Sequence, residues 1–395
     1  MYFDTRPKDD LDDLYDFRDE LNRLVSFLKG GGGIALVTGL RRTGKTSLVL
    51  TALNVADIPY VLVDGYALAT EPYIDRVDFL RLLERSINRL LGERKSLREK
   101  LQEVLKAVRR VEVEPHPHIR LFWGREPSES VDVTSLIEAL GELSRVSENK
   151  PAVIVFDEAQ EFRKLTRYDL RKLFAYVHDH VKNVKIIVTG SQFGFLQGFL
   201  KLDDPKSPLF GRYYVEVKTR KLTREESIDF LEKGFAQIGV KPEKSMLEEI
   251  VYTLDGVIGW LTYVGAEAKD AGRIDEKTLK KILMKAVRLA TQELENFLKY
   301  REEARERYLT VLEAIASGNT RWSEIKEFLE RREWKEISTN VLANILRNLR
   351  DANIIKKTRE GYRIADPVLE LGVKQVLKSK KKSKSIASRI LPGKA

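Results

Sequence analysis

Four residues at a fixed spacing carry the clearest chemistry in this sequence. Gly39, Gly44, Lys45 and Thr46 satisfy the pattern G-x-x-x-x-G-K-[ST] directly after an apolar stretch of β-strand type, Ile34–Thr38. The two glycines allow backbone N–H groups to turn toward an anion, and the following helix adds the positive end of its dipole. The lysine would contact the β- and γ-phosphates, and the threonine hydroxyl would coordinate Mg²⁺. The pattern predicts a phosphate-binding loop for a nucleoside triphosphate.

Other side chains in and beside this loop are candidate nucleotide contacts. Arg41 and Arg42 would clamp phosphate or, alternatively, face solvent or a neighbouring domain. The complete candidate set for binding ATP or ADP is Gly39, Arg41, Arg42, Thr43, Gly44, Lys45, Thr46, Ser47 and Asp157.

A second motif supplies two carboxylates. The stretch VIVFDEAQ is an apolar strand that ends in Asp157 and Glu158. Asp157 at the strand tip suits Mg²⁺ binding together with Thr46, and Glu158 is placed to activate the water that attacks the γ-phosphate. A solvated strand end is the alternative, but the upstream loop argues against it. The sequence therefore predicts hydrolysis of ATP, with Lys45 and Glu158 as catalytic residues.

Two further residues are candidate catalytic groups. Ser191 follows the strand IIVTG, at the sheet edge where ligands of open α/β folds bind, and Thr189 is the second choice there. A polar side chain at this edge would sense the γ-phosphate or hold the water, although a plain turn residue is the alternative. Arg212 would stabilise transition-state charge, within the subunit or across an oligomer interface, or is simply a surface arginine.

Hydrophobic patterning predicts the element order. Helical periodicity over Asp10–Leu28 precedes the first strand, and further apolar strands follow, separated by helical stretches. This order favours a parallel α/β sheet. The predicted strands are Ile34–Thr38, Tyr60–Asp64, Ala152–Asp157, Lys185–Thr189 and Tyr213–Val217.

The second half of the chain is predicted to be helical from Thr223 to about Tyr300 and then to form a winged helix-turn-helix. The winged part has helices over Ala304–Ala316, Trp322–Arg331 and Ser338–Asp351, followed by strands Ile354–Thr358 and Tyr362–Ala365. The predicted domains are an ATPase core over 1–220 with an insertion over 71–133, a helical lid over 221–300, the winged helix over 301–372 and a basic tail over 373–395. Within the insertion, Val111–Trp123 would pair as a hairpin on the sheet edge or cover a partner.

Composition excludes several classes of protein. The 395 residues include no cysteine, so disulfides, thiolate metal sites and cysteine nucleophiles are excluded. The acidic N-terminus lacks the order of a signal peptide, and no apolar run approaches the ~20 residues needed to span a bilayer. We expect a cytoplasmic monomer or weak oligomer with no membrane contact. We interpret the tryptophans Trp123, Trp260, Trp322 and Trp334 as packing residues.

Duplex DNA is a candidate partner of the winged helix. The third helix buries a leucine-rich stripe and leaves Asn and Arg side chains outward, the types that read adenine and guanine edges. The candidate DNA contacts are Asn340, Asn344, Arg347, Asn348, Lys356 and Lys357. The tail adds eight Lys or Arg and no acid after Val373, out of a net charge of +10 for the chain. Winged helices also dock proteins, so a protein partner remains the alternative.

In this order, several motifs over residues 10–372 resemble the archaeal ATPase family of P-loop proteins, related to the AAA+ and STAND ATPases. The motifs are DFRDEL, GLRRTGKTSL, VIVFDEAQEF, IIVTGSQFGFL, PLFGRYY, DGVIGWLTYVG and YRIADPVLEL. The resemblance implies hydrolysis of ATP with Mg²⁺, an extra strand between the two Walker strands, a helical lid and a terminal winged helix. It also implies sensor-like roles for Ser191 and Arg212.

Two positions depart from the family pattern. Phe17 precedes Arg18 where the family usually has an acidic residue, and Ile258 stands where the lid motif usually has proline. Because proline fixes φ and removes a donor, a lid contact made through it is expected to differ in this chain.

Overall fold

The computed structural model describes residues 1–68, 73–93, 95–114, 118–122, 131–142, 144, 150–166, 168–190, 193–299 and 301–375. Ser191 and residues 376–395 of the basic tail lie outside these described residues. The chain divides into two compact units, hereafter the α/β unit and the C-terminal unit. The α/β unit comprises Arg6–Gly39 and Gly44–Arg220, and the C-terminal unit comprises Met1–Thr5, Leu40–Thr43 and Lys221–Ala395.

The α/β unit is organised by a five-stranded parallel sheet. Its strands and a separate hairpin are β1 (Ile34–Thr38), β2 (Tyr60–Asp64), β3 (Val111–Val113), β4 (Ile119–Leu121), β5 (Ala152–Asp157), β6 (Val184–Gly190) and β7 (Val215–Lys218). The sheet order is β2-β5-β6-β1-β7, so β6 lies between the two strands that carry the phosphate loop and the carboxylates. The parallel sheet and the inserted strand predicted from the sequence are confirmed.

In the described residues of this unit, seven α-helices accompany the sheet. They are α1 (Arg18–Lys29), α2 (Lys45–Val55), α3 (Arg76–Glu93), α4 (Lys95–Lys106), α5 (Val133–Glu142), α6 (Leu170–His180) and α7 (Phe193–Leu200). Every residue of β1, β5 and β6 is buried, which explains why these strands are continuous apolar runs. Ile34, Ile154 and Ile186 are in register on one face and join a core with α3, α5 and α6. Ala35, Val153 and Ile187 are buried on the opposite face.

The first helix is shorter than its periodicity predicts. Asp16 and Phe17 have φ angles of 59° and 62°, a left-handed conformation that no α-helix continues through. The helix therefore begins at Arg18, and the prediction of a helix over Asp10–Leu28 was wrong for its first part. The side chain of Phe17 is only 1% exposed, so the residue at which the helix is interrupted is part of the core.

The insertion folds onto its own helices. Strands β3 and β4 pair with each other as a hairpin, as predicted, but they form a separate two-stranded sheet instead of extending the main sheet. The side-chain amide of Asn88 on α3 bonds both backbone groups of Ile119. It accepts from the Ile119 N–H at 2.7 Å and donates to the Ile119 carbonyl at 3.0 Å. Ile119 and Leu121 are buried in the core of the α/β unit.

The C-terminal unit is helical and ends in a winged helix. Its elements are α8 (Arg224–Gln237), α9 (Lys244–Leu254), α10 (Ile258–Ala271), α11 (Glu276–Leu298), α12 (Arg305–Ala316), α13 (Trp322–Glu333), α14 (Thr339–Asp351), β8 (Ile355–Thr358) and β9 (Gly361–Ile364). The antiparallel β8–β9 hairpin is the predicted wing. Trp260 is buried, but Trp334 is 92% exposed, so the interpretation of Trp334 as a packing residue was wrong.

Within the described residues, no helix is long and apolar enough to cross a membrane.

A buried lysine closes the end of α1. Lys185 of β6 is 5% exposed, and its ammonium donates to the carbonyls of Phe27, Gly30 and Gly32 at 2.7, 2.7 and 3.2 Å. The last carbonyls of a helix have no partner within the helix, and here one side chain satisfies three carbonyls at this helix end. The ammonium also lies 4.6 Å from the centre of the Phe27 ring.

Replacing this lysine tests the cap. Lys185→Met keeps the apolar stem but leaves buried carbonyls without a donor, so we expect the free energy of unfolding to fall by roughly 1–3 kcal/mol. Chemical denaturation measures this loss, and Lys182→Met on the exposed turn before β6 is the matched control. Equal stability of the two variants would show that water replaces the lysine at no cost.

Candidate nucleotide site

The phosphate loop joins β1 to α2, as the motif predicts. Gly39 and Gly44 have φ angles of 152° and 83°, values that residues with a Cβ rarely adopt. Helix α2 begins at Lys45, its N-cap is Gly44, and its first turn carries no acidic residue. No acidic side chain of the first turn competes for this helix start, and the helix dipole favours an anion there. Thr43 is fully buried, and its hydroxyl donates to the carbonyl of Leu40 at 2.7 Å, which ties the loop across its own turn.

The buried carboxylate of Asp157 is held between two threonine hydroxyls. Thr46 at the start of α2 donates to Asp157 Oδ2 at 2.9 Å, and Thr189 at the end of β6 donates to Asp157 Oδ1. The Thr189 hydroxyl also accepts a hydrogen bond of 3.0 Å from the backbone N–H of Glu158. The site therefore brings together three ends that the parallel sheet places at one edge: β5, β6 and the loop after β1.

A third carboxylate was not identified from the sequence. Asp64 ends β2 and is the register partner of Asp157 on β5. Burial raises the pKa of Asp157, and the negative charges of Glu158 and Asp64 add to this rise, while the two threonine hydrogen bonds oppose it. Burial also raises the pKa of Asp64, with a smaller contribution from Glu158. Excess negative charge at this sheet edge is what a bound cation would relieve.

Glu158 lies beside Lys45. The Glu158 Oε1 to Lys45 Nζ distance is 4.0 Å, and both side chains are buried. Glu158 is held in a left-handed backbone conformation with φ of 46°, and the amide of Gln160 donates to its Oε2 at 2.5 Å. Gln160, the last residue of VIVFDEAQ, is thus a positioning partner that the sequence reasoning left without a role.

The donor set fits Mg²⁺. Mg²⁺ prefers oxygen ligands, keeps several waters and is usually held by one or two carboxylates together with substrate phosphates. Thr46 and Asp157 supply a hydroxyl and a carboxylate 2.9 Å apart. Among the described residues there is no cluster of three or more His, Cys, Asp or Glu that could hold a metal by itself. The site therefore suits an ion that arrives with the nucleotide.

Three of the predicted nucleotide contacts, Ser47, Arg41 and Arg42, have partners within the chain. The Ser47 hydroxyl accepts a hydrogen bond of 3.0 Å from the backbone N–H of Lys8, so it is joined to the N-terminal segment. Arg41 and Arg42 both pair with Glu293 of α11, at 3.0 and 2.5 Å, and a contact of either arginine with phosphate stays a prediction. Phe17 packs beside Gly44, while Arg18 is exposed.

Arg212 lies at the amino ends of the strands, whereas the phosphate loop lies at their carboxyl ends. It pairs with Asp179 at 2.5 and 3.0 Å, and Asp179 is on the last turn of α6. The neighbouring His178 packs on Gly33, immediately before β1 begins. The guanidinium of Arg212 lowers the pKa of Asp179, with a further contribution from His178. The structure therefore does not bring Arg212 to the nucleotide site of its own chain, and a role across an oligomer interface stays a prediction.

The predicted lid motif starts a helix without its proline. Ile258 is the first residue of α10, where a backbone N–H has no partner within the helix. Proline is favoured at such positions because its missing N–H is not needed there. Isoleucine leaves this helix start intact, so the departure from the family pattern does not disturb α10.

The candidate DNA contacts divide into two groups. Asn340, Asn344, Arg347 and Lys357 are exposed. The amide of Asn348 instead donates to the Tyr308 hydroxyl of α12 at 2.7 Å, and burial lowers the pKa of the half-buried Lys356. The exposed residues of α14 follow the spacing i, i+4, i+7 and therefore form one stripe.

Comparison with known families agrees with this geometry. The family described as an ATPase domain predominantly from Archaea matches residues 14–264, which is more than half of the chain. The chain belongs to this archaeal ATPase family. A second family, the C-terminal winged helix-turn-helix domain of MCM proteins, matches residues 302–365. No curated protein matches the sequence.

Solved structures extend the comparison. The Walker-type ATPase PABY2304 of Pyrococcus abyssi is 31% identical in sequence to the present chain, with a TM-score of 0.78. The match covers 95% of the present chain and 100% of the Pyrococcus chain. The ORC2 protein of Aeropyrum pernix, solved in ADPNP–ADP complexes, is 16% identical with a TM-score of 0.58, covering 96% and 98% of the two chains. This second likeness shows the shared fold alone.

The threonine on β6 provides a test of the site. Thr189→Val keeps the shape but removes the donor to Asp157, so we expect the Mg²⁺ concentration for half-maximal nucleotide binding to rise by about tenfold, and Thr189→Ser to restore it. Titration of Mg²⁺ against a fluorescent ATP analogue measures the change. Unchanged Mg²⁺ dependence in Thr189→Val would show that the hydroxyl does not support Asp157.

Proposed function

We propose that this chain binds and hydrolyses ATP with Mg²⁺, and that the nucleotide state moves the helical lid and the winged helix, which act on duplex DNA. The observation that carries the hydrolytic part is the convergence of Thr46, Asp157 and Thr189 beside the Lys45–Glu158 pair. The predicted domain division, with a core over 1–220, a lid over 221–300 and a winged helix over 301–372, is part of this proposal.

Each residue at the site has a distinct task. The first N–H groups of α2 and the Lys45 ammonium would neutralise phosphate charge. Thr46 and Asp157 would hold Mg²⁺, which when bound neutralises the β- and γ-phosphate oxygens. Glu158, held by Gln160, would accept a proton from the attacking water. The Thr189 hydroxyl bonds both the Asp157 carboxylate and the backbone of Glu158, so it would hold the metal ligand and the base in fixed positions relative to each other.

Hydrolysis is tested by separating binding from turnover. Glu158→Gln keeps the side-chain shape and removes the base, so we expect the turnover rate to fall at least 100-fold while the affinity for Mg·ATP stays within about threefold. Lys45→Ala is expected to weaken binding as well. The measurements are steady-state phosphate release and equilibrium binding of a fluorescent ATP analogue.

The matched control is Glu161→Gln, the same chemical change in the next turn, where the carboxylate pairs with Lys164 at 2.8 Å. It is expected to turn over like the wild type. If Glu158→Gln hydrolyses ATP at the wild-type rate, Glu158 is not the base; if the wild type does not hydrolyse ATP at all, the chain is a nucleotide-binding scaffold.

Exposure and charge of the winged helix support action on DNA. Asn340, Asn344 and Arg347 form an exposed stripe on α14, the helix that reads the major groove in this motif. Exposed Lys357 on the wing would contact phosphate. Acidic side chains of α13 are held in ion pairs: Glu333 lies 2.6 Å from Arg307, and Glu330 lies 3.1 Å from Lys326. This pairing limits their repulsion of a polyanion.

The salt dependence of duplex DNA binding tests whether these residues contact DNA. Arg347→Ala and Lys357→Ala should each weaken duplex binding and reduce the slope of log affinity against log salt by about one, because each removes one phosphate or base contact. Lys277→Ala, an equal charge change at an exposed position of α11, should leave the slope unchanged. Equal slopes in all four proteins would mean that the winged helix does not contact DNA.

A protein partner is the second candidate function of the winged helix. Trp334 is 92% exposed in the turn between α13 and α14, and exposed tryptophans are common energetic centres of protein interfaces. In this case the chain would be a nucleotide-gated switch. Weak, salt-insensitive binding to DNA in the experiment above would favour this function.

A further inference from the structure

Arg42, at the middle of the phosphate loop, belongs to the C-terminal unit. The segment Leu40–Thr43 groups with Lys221–Ala395, while its flanking residues Gly39 and Gly44 group with the α/β unit. Within this segment, Arg42 contacts the rest of the C-terminal unit through both its backbone and its side chain.

The Arg42 backbone is fixed by the start of α10. Its carbonyl accepts a hydrogen bond of 2.9 Å from the N–H of Gly259, and its φ of 61° is a left-handed conformation that is unfavourable for a residue with a side chain. A Cβ on Gly259 would lie 2.6 Å from the Cβ of Arg42 and 2.9 Å from its carbonyl oxygen. Glycine is therefore required at position 259 for this approach, and the approach holds the loop in its strained conformation.

The Arg42 side chain is bound on three sides. The guanidinium lies 4.0 Å from the centre of the Trp260 ring, and it forms a two-bond pair with Glu293 of α11 at 2.5 and 3.2 Å. Asp366 lies 3.9 Å from it. A planar, charged guanidinium matches both the carboxylate and the ring face, a combination that lysine does not offer.

The same contacts continue to the winged helix. The buried indole N–H of Trp260 donates to both oxygens of Asp366, at 3.1 and 3.0 Å. Asp366 lies two residues after the wing strand β9, and its Oδ1 accepts hydrogen bonds from the N–H groups of Val368 and Leu369, at 2.8 and 3.2 Å. Asp366 therefore fixes the backbone that leaves the wing and the indole that supports Arg42.

We propose that Arg42 is a positioning residue that couples nucleotide binding at the phosphate loop to the packing of the winged helix, through Trp260, Glu293 and Asp366. Phosphate binding fixes the loop N–H groups and so constrains Arg42. Because Arg42 is held by α10, α11 and Asp366, that constraint extends to the segment after the wing. Thermodynamic linkage then requires the winged helix to affect nucleotide affinity equally in return. The inference rests on the nucleotide site of the proposed function, but on neither hydrolysis nor DNA.

Hydrogen exchange of the full chain tests the coupling. Amide exchange of residues 305–365 is compared without nucleotide, with Mg·ADP and with a non-hydrolysable ATP analogue plus Mg²⁺. In the wild type we expect nucleotide to change protection in this segment by about fivefold or more, the lower end of typical coupling. In Arg42→Ala and Glu293→Gln, each measured at a nucleotide concentration that saturates that variant, we expect this nucleotide-dependent change to disappear.

Two further variants separate coupling from loss of folding. Arg42→Lys keeps a positive charge but loses the fork and the ring contact, so it should recover only part of the coupling. Lys285→Ala is the matched control, because it breaks a 2.5 Å ion pair between α11 and Glu267 of α10 without contacting Arg42. It should keep the wild-type response. The nucleotide-dependent difference is the readout, since a merely structural role of Arg42 would change exchange in all states alike.

The outcomes are distinct. A wild-type response that persists in Arg42→Ala, or a wild type whose winged helix does not respond to bound nucleotide, would overturn the coupling. Phosphate release by the same wild-type preparation reports on the proposed hydrolysis separately, so a coupled protein without turnover would refute hydrolysis alone.

Discussion

The candidate site depends on keeping one buried carboxylate in place. Asp157 is 6% exposed and lies near two other carboxylates, so its ionised form is unfavourable unless donors or a cation compensate. Thr46 and Thr189 are the donors, and they come from the loop helix and from the neighbouring strand. The sheet order meets this requirement, because β6 lies between β1 and β5 and its Thr189 hydroxyl bonds both the carboxylate and the Glu158 backbone.

Local sequence predicted the parts of the site that are local in the chain. The runs IALVT and AVIVFD are apolar throughout because both faces of the sheet are covered, and each ends in the residues that do chemistry. The glycine spacing, Lys45 and Thr46 followed from the requirements of a phosphate loop. Thr46 and Asp157, which are 111 residues apart, were predicted to bind the same Mg²⁺, and the structure places them within hydrogen-bond distance because parallel strands bring their carboxyl ends to one edge.

Residues whose role depends on register or on distant partners were not predicted. Asp64 faces Asp157 only because β2 pairs with β5 in that register, which periodicity does not specify. Asn348 follows the polar stripe of α14 but is turned toward Tyr308. For Arg212 the sequence left open a role within the subunit, a role across an oligomer interface or none, although a residue just before a parallel strand must lie at the amino edge. The geometry of the sheet explains that difference.

The phosphate loop has to meet two requirements on its backbone conformation. Phosphate binding needs a backbone that turns its N–H groups inward, whereas Arg42 is held in a strained conformation by Gly259 and Glu293. Gly39 and Gly44 flank the segment Leu40–Thr43, and both have positive φ. Because glycine adopts positive φ at little steric cost, these two positions let the backbone enter and leave the segment that carries the strained Arg42. The glycines of the motif would thus serve two functions, to admit the phosphate and to permit the turns on either side of Leu40–Thr43.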